Sequence, residues 1–192
     1  TATAKLGTST SDGGSFAPDE NRNSAQQGSV SGFGDVSQNS WFADAVKYVS
    51  ENKLMNGTST TAFSPNGNMS RGMLMTVLAR YAGESTDGGT VWYEKGMNWA
   101  KNKGVSDGSA PNASITREQL AAMLYRYAGE PSVSADLSAY TDTVDISPYA
   151  SKAVEWCVAK GILSGKSATR LAPQDTATRA ECAAMLQRFA AL

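Results

Sequence analysis

The sequence predicts an all-α fold of three helix-loop-helix repeats, and three observations carry that prediction. Met69-Ser70-Arg71, Ile115-Thr116-Arg117 and Ala177-Thr178-Arg179 each open an apolar-periodic run. Each opening follows a proline (Pro65, Pro111, Pro173) at the same distance. Every such run carries one apolar stripe, which a lone hairpin cannot bury but three hairpins packed around a common axis can. A hydrophobic content of 41% supplies enough side chains for that core.

Residues 1–32 are rich in Ser, Thr, Gly, Asn and Gln and hold almost nothing to bury. They read as a linker or a disordered, extended tail, a tether to an upstream domain. Between Thr1 and Val30 no basic start leads into an apolar run, so no signal peptide is read there. Phe33 opens the globular part, which divides into repeats at 33–84, 85–131 and 132–192.

The first helix of each repeat shows apolar residues at helical spacing: Phe42, Ala45, Val46, Val49; Tyr93, Gly96, Met97, Ala100; Ala150, Ala153, Val154, Cys157. Asn56-Gly57, Asp107-Gly108 and Ser164-Gly165 follow, and glycine there suits a left-handed helix end. The second helices are more regular. Leu74, Val77, Leu78, Tyr81 keep the i, i+3, i+4, i+7 rule, as do Leu120, Met123, Leu124, Tyr127 and Cys182, Met185, Leu186, Phe189. The loop between helices contains Phe63-Ser64-Pro65 in the first repeat and Leu171-Ala172-Pro173 in the third. In the second it is cut short between Gly108 and Pro111, which predicts a smaller, altered pocket there.

Composition removes several function classes. The net charge of −1 offers no basic field for nucleic acid. No apolar stretch approaches the ~20 residues of a membrane span, so no membrane insertion is expected. Histidine is absent, which removes His-based triads and His-ligated metals. Two cysteines, Cys157 and Cys182, cannot make a disulfide framework. They fall on apolar helix positions and read as buried thiols, with a single bridge between packed helices as the alternative. Asn66-Gly67-Asn68 reads as a turn, because its spacing is no EF-hand. No metal and no cofactor is expected.

The helix starts hold the chemistry. Thr178-Arg179-Ala180-Glu181 is a capping box, Thr116-Arg117-Glu118-Gln119 keeps it with glutamine, and Ser70-Arg71-Gly72-Met73 lacks the reciprocal partner. The arginines are less easily explained, since a cation in the first turn opposes the helix dipole. Their recurrence asks for an anion. One candidate is internal, Asp35 or Asp142, each preceding a first helix. The other is an external carboxylate or phosphate held by the guanidinium together with free helix N–H groups. Trp41 and Trp92 open their helices and either cover the edge of the core or stack on a sugar face. A groove edged by Trp41 and Arg71 would suit a sugar.

Phe33-Gly34-Asp35-Val36, Trp41-Phe42-Ala43-Asp44-Ala45-Val46, Asn56-Gly57, Phe63-Ser64-Pro65 and Ser70-Arg71, in that order, resemble an S-layer homology (SLH) repeat. Gly161-Ile162-Leu163-Ser164-Gly165 and Thr178-Arg179-Ala180-Glu181 resemble it again in the third repeat. The resemblance implies a pseudo-three-fold spindle that anchors exported proteins non-covalently to secondary cell-wall polymers, often pyruvylated, in mostly Gram-positive bacteria. It implies an extracellular place, at the cell wall or S-layer, and no enzymatic step. The glycan-binding residues it implies are Arg71, Arg117 and Arg179; Asp35 and Asp142; Trp41 and Trp92; and Gly57, Gly108 and Gly165. The second repeat departs from the pattern, with Thr86-Asp87-Gly88-Gly89-Thr90-Val91 at its opening. The third has Tyr149 where the others have tryptophan. One or two working grooves are therefore expected rather than three. The alternative function is a helical protein-interaction or surface-lattice module. Asp35 and Glu181 as an acid/base pair are set aside, because capping and salt bridging account for both.

Overall fold

The computed structural model describes residues 28–192. The tail assigned to 1–32 lies outside the described residues up to residue 27. Beyond that, Ser29–Val30 (β1) pairs antiparallel with Phe33–Ser37 (β2). Ser31 and Gly32 join them with φ of 53° and 83°, the two positive values that a tight hairpin turn requires. Val30, Phe33 and Val36 are buried, so this small sheet joins the core of an otherwise helical protein.

Six α-helices follow among the described residues: α1 (Ala43–Glu51), α2 (Arg71–Tyr81), α3 (Glu94–Asn102), α4 (Arg117–Tyr127), α5 (Ser151–Ala159) and α6 (Arg179–Ala190). Two short 3-10 turns, Thr143–Asp145 and Pro148–Ala150, precede α5. The second helices start where the caps predict. Ser70, Thr116 and Thr178 accept the N–H of Met73, Gln119 and Glu181, and the last two boxes are reciprocal.

The packing partners differ from the predicted hairpins. α2 packs on α3, α4 on α5, and α6 returns to pack on α1. Each apolar stripe is thus buried against the first helix of the next segment, and the last segment closes on the first. Backbone hydrogen bonds close the same way. Met69 N–H donates to Ala177 O (3.0 Å), Ala177 N–H to Ile115 O (2.9 Å) and Ile115 N–H to Met69 O (2.9 Å). Those three residues are fully buried. At the other end of the same helices Tyr81, Tyr127 and Phe189 form a triangle of rings, with centroids 5.7–5.8 Å apart.

The first helices end earlier than their glycines predict. The left-handed residue after the helix is Lys53, Gly104 and Gly161, with φ of 56°, 69° and 68°. Gly108 is also left-handed (φ 75°) but lies in the loop beyond. Gly57 and Gly165 are glycine for want of room. A Cβ on Gly57 would fall 2.6 Å from Ala62 O and against the Phe33 ring, and one on Gly165 would lie 2.7 Å from Arg170 O and 2.8 Å from the Tyr140 ring.

Both cysteines are free and buried. Burial pushes each thiol up to about 12.

Candidate functional site

Among the described residues, three grooves are each built from all three segments. In one, Arg71 from the start of α2 faces the 104–109 loop, α4 and Tyr149. In the second, Arg117 faces the 163–166 loop, α6 and Trp41. In the third, Arg179 faces the 54–58 loop, α2 and Trp92. Their volumes are about 570, 410 and 260 Å³. The groove with the shortened loop is the largest of the three, where the sequence led to the expectation of a smaller one. Trp41 lies with Arg117 rather than Arg71, since α6 docks against α1.

The three guanidinium groups are held by the loops they face. Arg179 Nε donates to Phe63 O (2.8 Å) and Nη2 to Asn56 O (2.6 Å), with the guanidinium 4.6 Å from the Phe63 ring centre. Arg117 Nε donates to Leu171 O (3.0 Å), Nη2 to Ser164 O (2.5 Å) and Nη1 to Glu181 Oε1 (2.8 Å). Arg71 Nε donates to Ser109 O (2.9 Å) and Nη2 to Ser106 Oγ (3.3 Å) and Asp107 Oδ1 (2.9 Å). Arg117 and Arg179 are 4% and 7% exposed, so both are structural members of the loops as well as cations in a groove.

The helix N–H groups are not free for an anion. Arg71, Arg117 and Arg179 donate theirs to Ala113 O, Asp175 O and Gly67 O. The next residues, Gly72, Glu118 and Ala180, donate to Pro111 O, Pro173 O and Pro65 O. The third N–H of each helix goes to the cap hydroxyl. Neighbouring backbone therefore satisfies the groups that helix starts usually offer. The first three N–H groups of α2, α4 and α6 thus take no part in meeting an anion.

Asp35 and Asp142 line none of the three grooves. Asp35 accepts Phe63 N–H (2.8 Å) and Ser64 N–H (2.7 Å); Asp142 accepts Leu171 N–H (2.9 Å) and Ala172 N–H (2.8 Å). They brace the loops whose carbonyls receive Arg179 and Arg117. Burial works against the Asp142 charge, yet the two backbone N–H groups, with Arg170 beside them, hold its carboxyl below the usual range. Asp107 is likewise held low, chiefly by the Ser109 N–H and hydroxyl and then by Arg71. Gly57 and Gly165 line their grooves; Gly108 does not, though Asp107 beside it does.

The aromatics stand out at the surface. Trp41 is 66% exposed, Trp92 53% and Tyr149 54%. Each indole leans edge-on against the next ring, Trp41 on Phe42 at 5.3 Å and Trp92 on Tyr93 at 5.1 Å. Tyr149 is followed by Ala150 and is held differently. Its hydroxyl donates to Glu118 Oε1 (3.1 Å), a buried carboxylate that also accepts the Ser147 N–H and hydroxyl. Burial, then the Glu118 charge, raises the Tyr149 phenol.

Each groove has a second arginine that the helix-start motif did not point to. Arg80, Arg126 and Arg188 line the Arg179, Arg71 and Arg117 grooves respectively. Their Nη1 groups donate to Leu54 O, Val105 O and Ile162 O. The signal was present in Arg80-Tyr81, Arg126-Tyr127 and Arg188-Phe189, which echo at one helix position.

An exposed aromatic, a crowded glycine and paired cations recur in this order on the first and last segments. Residues 32–72 and 139–183 match the S-layer homology domain. S-layer homology domains are cell-wall anchoring modules. The first match contains Asp35, Trp41, Gly57 and Arg71, and the second Asp142, Gly165 and Arg179. Trp92, Gly108 and Arg117 lie outside the matched residues. No curated protein matches the chain. No helix among the described residues is long and apolar enough to cross a membrane.

Proposed function

We propose that the protein is a non-covalent anchoring module that binds an acidic secondary cell-wall polysaccharide, a pyruvylated one being an instance. The three segments act as a pseudo-three-fold spindle outside the cell, at the wall or S-layer of a Gram-positive bacterium. No chemical step is involved. The observation that supports this most is the juxtaposition, in each groove, of two arginines with an exposed aromatic edge. Guanidinium groups answer an acidic substituent with charge-assisted hydrogen bonds, and the ring covers an apolar sugar face. Gly57 and Gly165 let their crowded loops form the walls of two of the grooves. Arg71, Arg117 and Arg179 carry the charge, while Trp41, Trp92 and Tyr149 carry the stacking. Asp35 and Asp142 support the site through the loops.

Co-sedimentation with purified wall polymer tests this. Binding is expected to weaken as salt rises from about 0.05 to 0.5 M, the range over which screening shortens. Amidating the polymer's carboxylates is expected to abolish it. Unchanged binding after amidation, or capture by surface protein alone, would replace the glycan reading with a protein-interaction module.

A further inference from the structure

The three grooves differ at one helix position. The third residue of the facing helix is Met73 in the Arg179 groove, Gln119 in the Arg71 groove and Glu181 in the Arg117 groove. Glu181 uses both carboxylate oxygens internally. Oε2 accepts the Thr178 N–H (2.9 Å) and Oε1 takes Arg117 (2.8 Å). With both side chains largely buried, at 5% and 14% exposure, that pair fills the place an incoming carboxylate would take. Arg71 meets Asp107, whose side chain is 69% exposed, so this pair is screened by water and easily displaced. Arg179 makes no direct ion pair with a carboxylate among the described residues: the Asp35 charge acts on it only from behind the Phe63 peptide, and Arg179 Nη1 donates to none of their groups. It is 93% buried, and its groove is lined by Arg80 and by no acidic residue. A buried cation whose hydrogen bonds go only to neutral carbonyls, in a groove open to solvent, leaves room for an anion.

We propose that the residue at this third position grades the grooves for anions, and that the Arg179 groove is the primary seat of the ligand's carboxylate. The order is Arg179, then Arg71, then Arg117. At about 260 Å³, with Trp92 at its edge, this groove takes one sugar unit rather than a run of them. The proposal rests on the acidic-glycan reading above.

Each groove has its own reporter: the Trp92 indole N–H and Arg179 Nε–H, the Arg71 Nε–H, and the Trp41 indole N–H and Arg117 Nε–H. The experiment titrates the ¹⁵N-labelled protein with methyl glucuronide and, separately, with neutral methyl glucoside. Glucuronide is expected to move Trp92 and Arg179 at the lowest concentrations, and glucoside not to. Met73→Glu supplies Arg179 with the carboxylate that Arg117 already has. It is expected to weaken this binding roughly ten- to hundredfold, the worth of a charge-assisted hydrogen bond. It also completes the capping box with Ser70, so its melting temperature should hold or rise, which separates lost binding from lost fold. Glu181→Gln keeps the cap and is expected to add a response at Trp41. A first response at Trp41 or Arg71, or a Met73→Glu protein that binds as before, overturns the grading and leaves the glycan reading standing. The grading also falls alone if no groove responds to glucuronide while acidic wall polymer still sediments the protein. Loss of both kinds of binding removes the two together.

Discussion

Asp142 shows how far a single side chain can be understood from its surroundings. Its carboxylate is buried and takes two backbone N–H groups of the loop that receives Arg117. Because its folded pKa lies below the unfolded value near 3.9, its contribution is fully present above that value. The contribution is lost as pH falls through the folded pKa. Stability should therefore be flat from about pH 7 to 5 and fall below about pH 4. Asp142→Asn should be less stable at neutral pH and show a shallower acid decline, read by urea titration at each pH. The cysteines give a second check. Both are buried with thiols pushed up to about 12, so a thiol reagent should find neither in the native protein and both in denaturant. Arginine at the helix starts could be read from the sequence because its place opposes the dipole. Its partners could not, since Phe63 O and Asn56 O lie more than a hundred residues from Arg179.

The helices were legible as elements because their apolar spacing is regular; their ends were less so. Asn56-Gly57 resembles a helix stop, yet α1 ends at Glu51 and turns through Lys53 in the left-handed region. The equivalent turns use Gly104 and Gly161. Lys53→Gly should relieve that strain, net of the added chain entropy, by roughly a few tenths to 1 kcal/mol and raise the melting temperature. Gly96 argues the opposite case. A Cβ there would lie 2.6 Å from Thr76 Cα and 2.8 Å from its nitrogen, where α3 crosses α2. Although alanine is the better helix former by about 1 kcal/mol, Gly96→Ala should lower the melting temperature, because backbone cannot move aside as a side chain can. The equivalent contacts of α1 and α5 already carry Ala45 and Ala153, both buried.

At the scale of the molecule the grooves exist only when the chain closes. Arg71, Trp41 and the 54–58 loop all come from residues 33–84 and serve three different grooves. A chain lacking those residues also leaves α3 and α6 without their packing partners. It is expected to show neither wall-polymer binding nor a cooperative melt by circular dichroism. The repeated order of proline, cap, arginine and apolar stripe was enough to determine that helical units recur and where a cation must sit. These are local matters of periodicity, capping and dipole, settled within a few residues. Which unit buries which stripe, which aromatic meets which arginine, and which guanidinium makes no direct ion pair depended on contacts between distant parts of the chain. Three similar units could meet in more than one pairing, and only packing at full density, with α6 seated on α1, selects among them.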